Sequence, residues 1–101
     1  MNFEFIEALD LGNFGKQRLV FRCRSTASLK GKHLFQGDHH LYSFPPVDVK
    51  TGDYLVVYIR HGQMATQKFR DATCHFFYCG KWSRLWDDPA PSGFRIIAHL
   101  P

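Results

Sequence analysis

Apolar and polar residues alternate along several short segments of this sequence, and this alternation limits what the chain can fold into. In RLVFRCRS, residues 18–25, the apolar residues Leu19, Phe21 and Cys23 occupy every second position. Successive side chains of a β-strand point to opposite faces of a sheet. These three residues are therefore predicted to face a core. The other face is predicted to be mostly basic and consists of Arg18, Val20, Arg22 and Arg24.

The most regular strand is predicted at residues 54–60, YLVVYIR. Both of its faces are apolar or aromatic, since Leu55, Val57 and Ile59 alternate with two tyrosines and a valine. A strand that is apolar on both faces is typical of the middle of a sheet. The residues before it, from Lys50 to Asp53, include a glycine and are predicted to form a turn.

Further short strands are indicated on either side of this one. HLFQGDHHLYSF predicts two strands with Gly37 and Asp38 as the turn between them, while TCHFFYC, RLWD and FRIIAHL predict one strand each. HGQMATQKFRDA is polar and contains a glycine, so we expect a loop there, with at most one helical turn. Short strands at intervals of about 8 to 12 residues predict an all-β sandwich or barrel.

The composition fits one globular domain over residues 1–101. Apolar residues make up 45% of the chain, enough for a core without metals or disulfides. No apolar run reaches the roughly 20 residues of a membrane helix, and the acidic start MNFEFIEALDLG does not resemble a secretory signal. An odd number of cysteines, Cys23, Cys74 and Cys79, favours free thiols in a reducing compartment. We therefore expect a cytoplasmic monomer that does not contact a membrane.

Six histidines and three cysteines suggest zinc, but their spacing on strands disfavours it. Residues five apart on a strand face opposite sides, which separates Cys74 from Cys79. Cys74 and His75 diverge for the same reason and do not form a nucleophile–base pair. The sequence also lacks a G-x-S-x-G motif, a glycine-rich phosphate loop and paired carboxylates at helical spacing. We expect no metal, no cofactor and no catalytic residue.

The strongest functional hypothesis from charge concerns a stretch without acids. Residues 16–37 carry six cations and no acid, and the net charge of the chain is +4. Two interpretations stay open for this stretch: a basic face that is merely solvated, and a surface that follows a polyanion backbone. The candidate polyanion-binding residues are Arg18, Arg22, Arg24, Lys30 and Lys32.

Two parts of the sequence together resemble the lamin tail domain family. The first part has Tyr42, Phe44 and Pro45, then the Lys50-x-Gly52-Asp53 turn, then the strand Tyr54–Ile59. The second part has an aromatic pair before a glycine, a basic spacer and a tryptophan: Phe77, Tyr78, Gly80, Lys81–Arg84 and Trp86. The resemblance covers roughly residues 34–97. The family's asparagine-rich turn after the tryptophan is replaced by DDPAPSG.

The resemblance implies an immunoglobulin-like β-sandwich of about seven to nine short, mostly antiparallel strands. It makes Phe77 and Trp86 core aromatics and leaves Tyr78 and Trp82 partly exposed, as candidate contacts for a protein partner. Family members act as binding or scaffolding modules. We therefore expect a non-catalytic module that binds an unidentified protein, with weak, non-specific binding of DNA or RNA as the alternative.

Overall fold

The computed structural model of the chain describes residues 2–10, 13, 15–80 and 93–98. Every regular element within these ranges is a β-strand, which confirms the predicted all-β class. The strands are β1 (Phe3–Leu9), β2 (Arg18–Cys23), β3 (Ala27–Ser28), β4 (His33–Gln36), β5 (His39–Ser43), β6 (Asp48–Val49), β7 (Tyr54–Tyr58), β8 (Ala65–Phe69), β9 (Ala72–Tyr78) and β10 (Phe94–Ile97). The strand predicted at RLWD, the DPAPSG turn, Trp82 and Trp86 lie outside the described residues.

The strands form one large sheet and two smaller ones. The large sheet has the order β1-β2-β7-β9-β8, the second sheet has the order β10-β4-β5, and β3 pairs with β6. Within these sheets the strand pairs are antiparallel, except that β7 and β9 run parallel. None of the described residues belongs to a helix with the length and hydropathy that crossing a membrane requires.

Within the described residues, the strands predicted from alternation are present at the expected positions. Leu19, Phe21 and Cys23 of β2 are buried, while Arg22 on the same strand is exposed. β7 lies between β2 and β9, in the middle of the large sheet, as its two apolar faces predict. The β4–β5 hairpin turns at Gly37, whose φ of 59° is left-handed and suits glycine.

One core joins the large sheet to the second sheet. Phe77 of β9 is fully buried, as predicted, and its ring lies 5.1 Å from that of Phe44 and 6.2 Å from that of Tyr42 on the opposite layer. Leu34 of β4 and Phe94 of β10 belong to the same cluster of buried residues. This arrangement of two layers is consistent with a β-sandwich.

The loop predicted at HGQMATQKFRDA is wrong from residue 65 onward, because residues 65–69 form β8 and β9 begins at Ala72. All five residues of β8 are exposed, so the segment has no apolar face whose alternation would mark a strand. It becomes a strand by pairing with β9. The two strands are joined by a turn in which Arg70 has a φ of 59°. No helical turn is present in the described residues of this segment.

β1 is a second strand that alternation did not predict. Its pairing with β2 shifts register between Phe5 and Glu7, which is a β-bulge at Ile6. The bulge changes which residues face the core, so strict alternation fails across FEFIEAL. Glu4 consequently lies opposite Arg22 in the ladder. The acidic N-terminal segment thus borders the basic face of β2.

Candidate anion-binding site

Two of the predicted arginines line adjoining cavities beside the large sheet. The first cavity, of about 300 Å³, is lined by Arg22, Thr51, Gly52, Tyr54, Phe69, Arg70, Asp71 and Ala72. The second, of about 260 Å³, shares Arg22, Thr51 and Gly52 with the first and adds Cys23 and Arg24. We call the two together the arginine cleft. It brings Arg22 and Arg24 of the predicted basic stripe together with Arg70.

Strand pairing places Arg22 and the Tyr54 ring side by side in the arginine cleft. Arg22 of β2 lies opposite Tyr54 of β7, so both side chains project from the same outer face of the sheet. The guanidinium carbon of Arg22 is 5.6 Å from the centre of the Tyr54 ring, a cation–π distance. The contact holds the arginine side chain over the sheet.

The β8–β9 turn supplies a second cation and a second ring. The guanidinium carbon of Arg70 lies 5.5 Å from the centre of the Phe69 ring, and that ring is about half exposed (53%). Phe69 pairs with Ala72 of β9, which lines the same cavity. The turn therefore brings one arginine and one exposed aromatic face to the cleft.

Two carboxylates reduce the positive charge of the arginine cleft. Glu4 Oε1 lies 3.3 Å from Arg24 Nη1, and both side chains are about half exposed. Asp71 lines the cavity beside Arg70. Surface ion pairs of this kind contribute little to stability and exchange readily with water and ions. A phosphate group can therefore compete with Glu4 for Arg24.

The cleft combines two chemical functions that suit one class of ligand. Guanidinium groups bind phosphate oxygens through paired, directed N–H donors. The exposed Phe69 ring and the partly exposed Tyr54 ring beside them offer surfaces on which nucleobases stack. Arg22 and Arg24 with Tyr54 and Phe69 therefore suit a strand that carries both phosphates and bases.

The other predicted basic residues lie elsewhere. Arg18, at the far end of β2, hydrogen-bonds and forms an ion pair with Asp10, and its guanidinium carbon is 5.8 Å from the Tyr58 ring centre. Lys30 and Lys32 belong to the turn between β3 and β4, which leads into the second sheet. None of these three cations lines the two cavities of the cleft.

An aromatic stack occupies the other end of the outer face, near Arg18. The rings of Tyr58 and Tyr78 are parallel to within 13° with centres 5.1 Å apart, and the Arg60 guanidinium carbon lies within 5.2 Å of both ring centres. We call Tyr58, Tyr78 and Arg60 the aromatic stack. Tyr78, a predicted partner contact, is half-buried in this stack.

A buried acid–imidazole pair lies on the core side of the same sheet. Asp53 Oδ2 is 3.0 Å from His75 Nε2, and both side chains are more than nine-tenths buried. The carboxylate also accepts hydrogen bonds from the backbone N–H groups of Lys50 and Thr73. His75 Nδ1 is buried without a hydrogen-bond partner. The pair therefore fastens the turn before β7 to β9.

Opposing effects set the pKa of Asp53. Burial raises the pKa of this carboxyl, but hydrogen bonds from the Lys50 N–H, from His75 and from the Thr73 N–H together outweigh burial and hold it below the usual value. Asp53 is thus charged in the folded protein at neutral pH. Burial, with a smaller contribution from the Asp53 charge, raises the pKa of the Cys74 thiol.

The sequence pattern did not indicate Phe69, Arg70 or the Asp53–His75 pair, for different reasons. Phe69 and Arg70 fell within the predicted loop, because the Arg-Asp turn lacks the asparagine or glycine that usually marks a two-residue hairpin turn. Asp53 was assigned to turn geometry only. Nothing local to His75 indicates its partner Asp53, which lies in the turn before β7.

No protein-family model, curated protein or solved structure matches this chain.

Proposed function

We propose that the chain is a non-catalytic binding module whose arginine cleft binds single-stranded nucleic acid weakly and without sequence preference. The observation that carries this proposal is the convergence of Arg22, Arg24 and Arg70 with the rings of Tyr54 and Phe69 around one cleft. Stacking on rings is tolerant of base identity, because every base has an aromatic face. Phosphate contacts carry no direct sequence information.

We also propose that the chain has the immunoglobulin-like topology of the lamin tail domain family. An immunoglobulin-like sandwich of the lamin tail type is supported by the two-layer core and by the Lys50–Asp53 turn that leads into the central strand β7. Binding modules of this kind hold ligands on their surfaces. A surface cleft lined by cations and rings agrees with that use.

The charge of the cleft sets the expected strength of binding. Glu4 and Asp71 oppose three arginines, so few phosphates are neutralised at once. Non-specific affinities at physiological salt are around 10⁻⁴ to 10⁻⁶ M, and this cleft belongs at the weak end of that range. Binding is therefore best measured at low ionic strength.

The test is a salt titration with a fluorescent oligothymidine and a variant that carries both Arg22→Ser and Arg24→Ser. For single strands, log affinity falls against log salt by about 0.7 per neutralised phosphate, so the double variant should flatten the slope by about 1 to 1.5. Binding should weaken alike for all sequences. Fluorescence anisotropy from about 20 mM salt upward measures both effects.

Lys16→Ser is the matched control, since it removes an exposed cation outside the arginine cleft. It should change the slope much less than the double variant does. The melting temperature of the double variant should stay close to that of the native chain, because both arginines are exposed. Absence of oligonucleotide binding at low salt, or an equal effect of Lys16→Ser, contradicts the proposed site.

Protein binding is the second candidate function, and the aromatic stack favours it. Tyrosine and arginine are enriched among the residues that contribute most to protein interfaces. Tyr58, Tyr78 and Arg60 form a closely stacked, partly exposed group of this composition. This candidate predicts that a protein partner loses affinity with Tyr78→Ala, while oligonucleotide binding at the arginine cleft is retained.

A further inference from the structure

β8 is an edge strand with backbone groups directed away from the sheet. It ends the order β1-β2-β7-β9-β8, and within the described chain it pairs only with β9. Lys68 lies opposite Thr73, whose N–H donates to Asp53 and therefore points away from β8. Lys68 and Thr73 thus form a non-hydrogen-bonded pair, and alternation directs the backbone groups of Lys68 and Thr66 outward.

An apolar cavity adjoins this edge on the core side of the sheet. It measures about 240 Å³ and is lined by Val47, Met64, Ala65, Thr66, His75 and Phe77. Thr66 lies opposite His75 in the ladder, so it faces the same side as the buried residues of β9. Met64 is about half exposed (52%). A side chain placed next to Thr66 by an added strand would enter this cavity.

The edge is also positively charged. Lys68 lies on the strand, Arg70 follows it in the turn, and Asp71 is the single acid within residues 61–71. A carboxylate opposite Lys68 on an added strand would form a cross-strand ion pair, which stabilises a sheet, whereas a cation there would be repelled. Charge complementarity therefore favours an acidic occupant.

We propose that β8 binds an extended acidic segment of another protein by strand addition, with an apolar side chain in the cavity beside Thr66 and a carboxylate opposite Lys68. Main-chain hydrogen bonds to an exposed edge supply affinity in this mode, and pockets for alternate side chains supply specificity. The proposal gives the candidate function of protein binding a defined partner, an extended acidic segment. It uses none of the residues of the aromatic stack.

A second copy of the chain suits this edge less well. Two copies paired through β8 would bring the cations of both edges together. The five residues of β8 also form too short a contact for the roughly 1,200 Å² that specific stable interfaces bury. The occupant we infer is therefore a short segment and not another β8.

The probe is the capped peptide Glu-Val-Ile-Val-Glu, labelled with a fluorophore. Its first, third and fifth side chains share one face. The peptide has the same order of residues in both directions. When its isoleucine lies beside Thr66, a glutamate therefore lies opposite Lys68 whether the peptide pairs parallel or antiparallel to β8. The control peptide Lys-Val-Ile-Val-Lys has the same length and apolar residues with opposite charge, and it should bind about tenfold more weakly or not at all.

Thr66→Pro tests the backbone hydrogen bond. Proline removes an outward N–H, and proline is tolerated on an edge strand whose N–H faces solvent. The variant should lose peptide binding by about tenfold or more, while Thr66→Ala, which keeps the N–H, should stay within about twofold of the native chain. Lys68→Glu should reverse the preference between the two peptides without any change in backbone pairing.

The outcomes are distinct. Binding of the acidic peptide that is lost with Thr66→Pro and reversed by Lys68→Glu supports the proposal. No binding of the acidic peptide overturns it, as does equal binding of both peptides. Concentration-dependent dimerisation in sedimentation that Thr66→Pro abolishes identifies a second copy as the occupant and also overturns it. Oligonucleotide binding should be unaffected by Thr66→Pro, so failure here is separable from failure at the arginine cleft.

Discussion

Asp53 connects two parts of the chain, its own turn and β9, through one carboxylate. It accepts hydrogen bonds from Lys50 in its own turn and from Thr73 and His75 on β9. Hydrogen bonds to a buried charge are stronger than neutral ones, and loss of one partner leaves the others unsatisfied. At the scale of single residues, this carboxylate is the polar group whose removal should cost the most.

Asp53→Asn should destabilise the fold by about 2 to 3 kcal/mol, because it replaces charged hydrogen bonds in a buried site with weaker ones. Urea denaturation at neutral pH measures this change. Asp48→Asn is the control, since Asp48 is an exposed aspartate of the neighbouring strand β6 and should change stability by less than about 0.5 kcal/mol. Equal effects of the two substitutions would contradict the role given to Asp53.

The pH dependence follows from the lowered pKa of Asp53. A group whose folded pKa lies below its unfolded value, about 3.9 for aspartate, stabilises the fold fully above the unfolded value. This contribution is lost as pH falls through the folded pKa. The native chain should therefore lose stability on acidification below about pH 4 more steeply than Asp53→Asn does.

β9 is the element on which the large sheet depends most. It pairs with β7 on one side and with β8 on the other, and its two faces carry different chemistry. Its core face holds His75 and Phe77, and its outer face holds Cys74 and Tyr78. Gly62, in the segment before β8, lies directly against the Tyr78 ring. The aromatic stack therefore depends on the absence of a side chain at position 62.

Gly62→Ala should disturb the aromatic stack and destabilise the chain by about 1 to 3 kcal/mol, as overpacking typically does. An added Cβ would lie 2.5 Å from Tyr78 Cε2, and the ring cannot move away freely because Tyr58 and Arg60 contact it. Near-ultraviolet circular dichroism reports on the stacked tyrosines, and thermal unfolding reports on stability.

Gly15→Ala is the matched control for this substitution. A Cβ at position 15 would have only an ordinary contact, 3.9 Å from Asn13 Oδ1. It should leave both the tyrosine dichroism and the melting temperature nearly unchanged. If Gly62→Ala also leaves the tyrosine dichroism and the melting temperature unchanged, Gly62 does not pack closely against Tyr78.

For the whole molecule, Phe77 is the side chain that joins the layers most directly. It is fully buried on β9, and its ring contacts those of Tyr42 and Phe44. Truncation of Phe77 would leave a space beside these rings that the surrounding residues fill only in part. The packing of the large sheet against the second sheet depends on it.

Phe77→Ala should lower the free energy of unfolding by about 3 to 5 kcal/mol through lost burial and a residual cavity. Phe69→Ala is the control, because Phe69 is about half exposed (53%) and its loss should cost much less. Chemical denaturation of both variants gives the comparison. A small cost for Phe77→Ala would mean that the two layers are not held together at this position.

The sequence by itself determined the elements whose pattern is local. Alternation in β2 and β7 identified Leu19, Phe21, Leu55 and Val57 as core residues, because a strand's side-chain period depends only on backbone geometry. The same argument separated Cys74 from His75 and placed Arg22 on an outer face. The hairpin turn at Gly37 followed from residue type alone.

The tertiary structure decided everything that depends on which strands become neighbours. β8 has no buried face, so only its pairing with β9 makes it a strand, and only that pairing brings Phe69 and Arg70 to the cleft of Arg22. The Asp53–His75 hydrogen bond likewise requires β7 and β9 to lie side by side in parallel. Contacts between residues far apart in sequence depend on the register of whole strands, which no local pattern in this chain specifies.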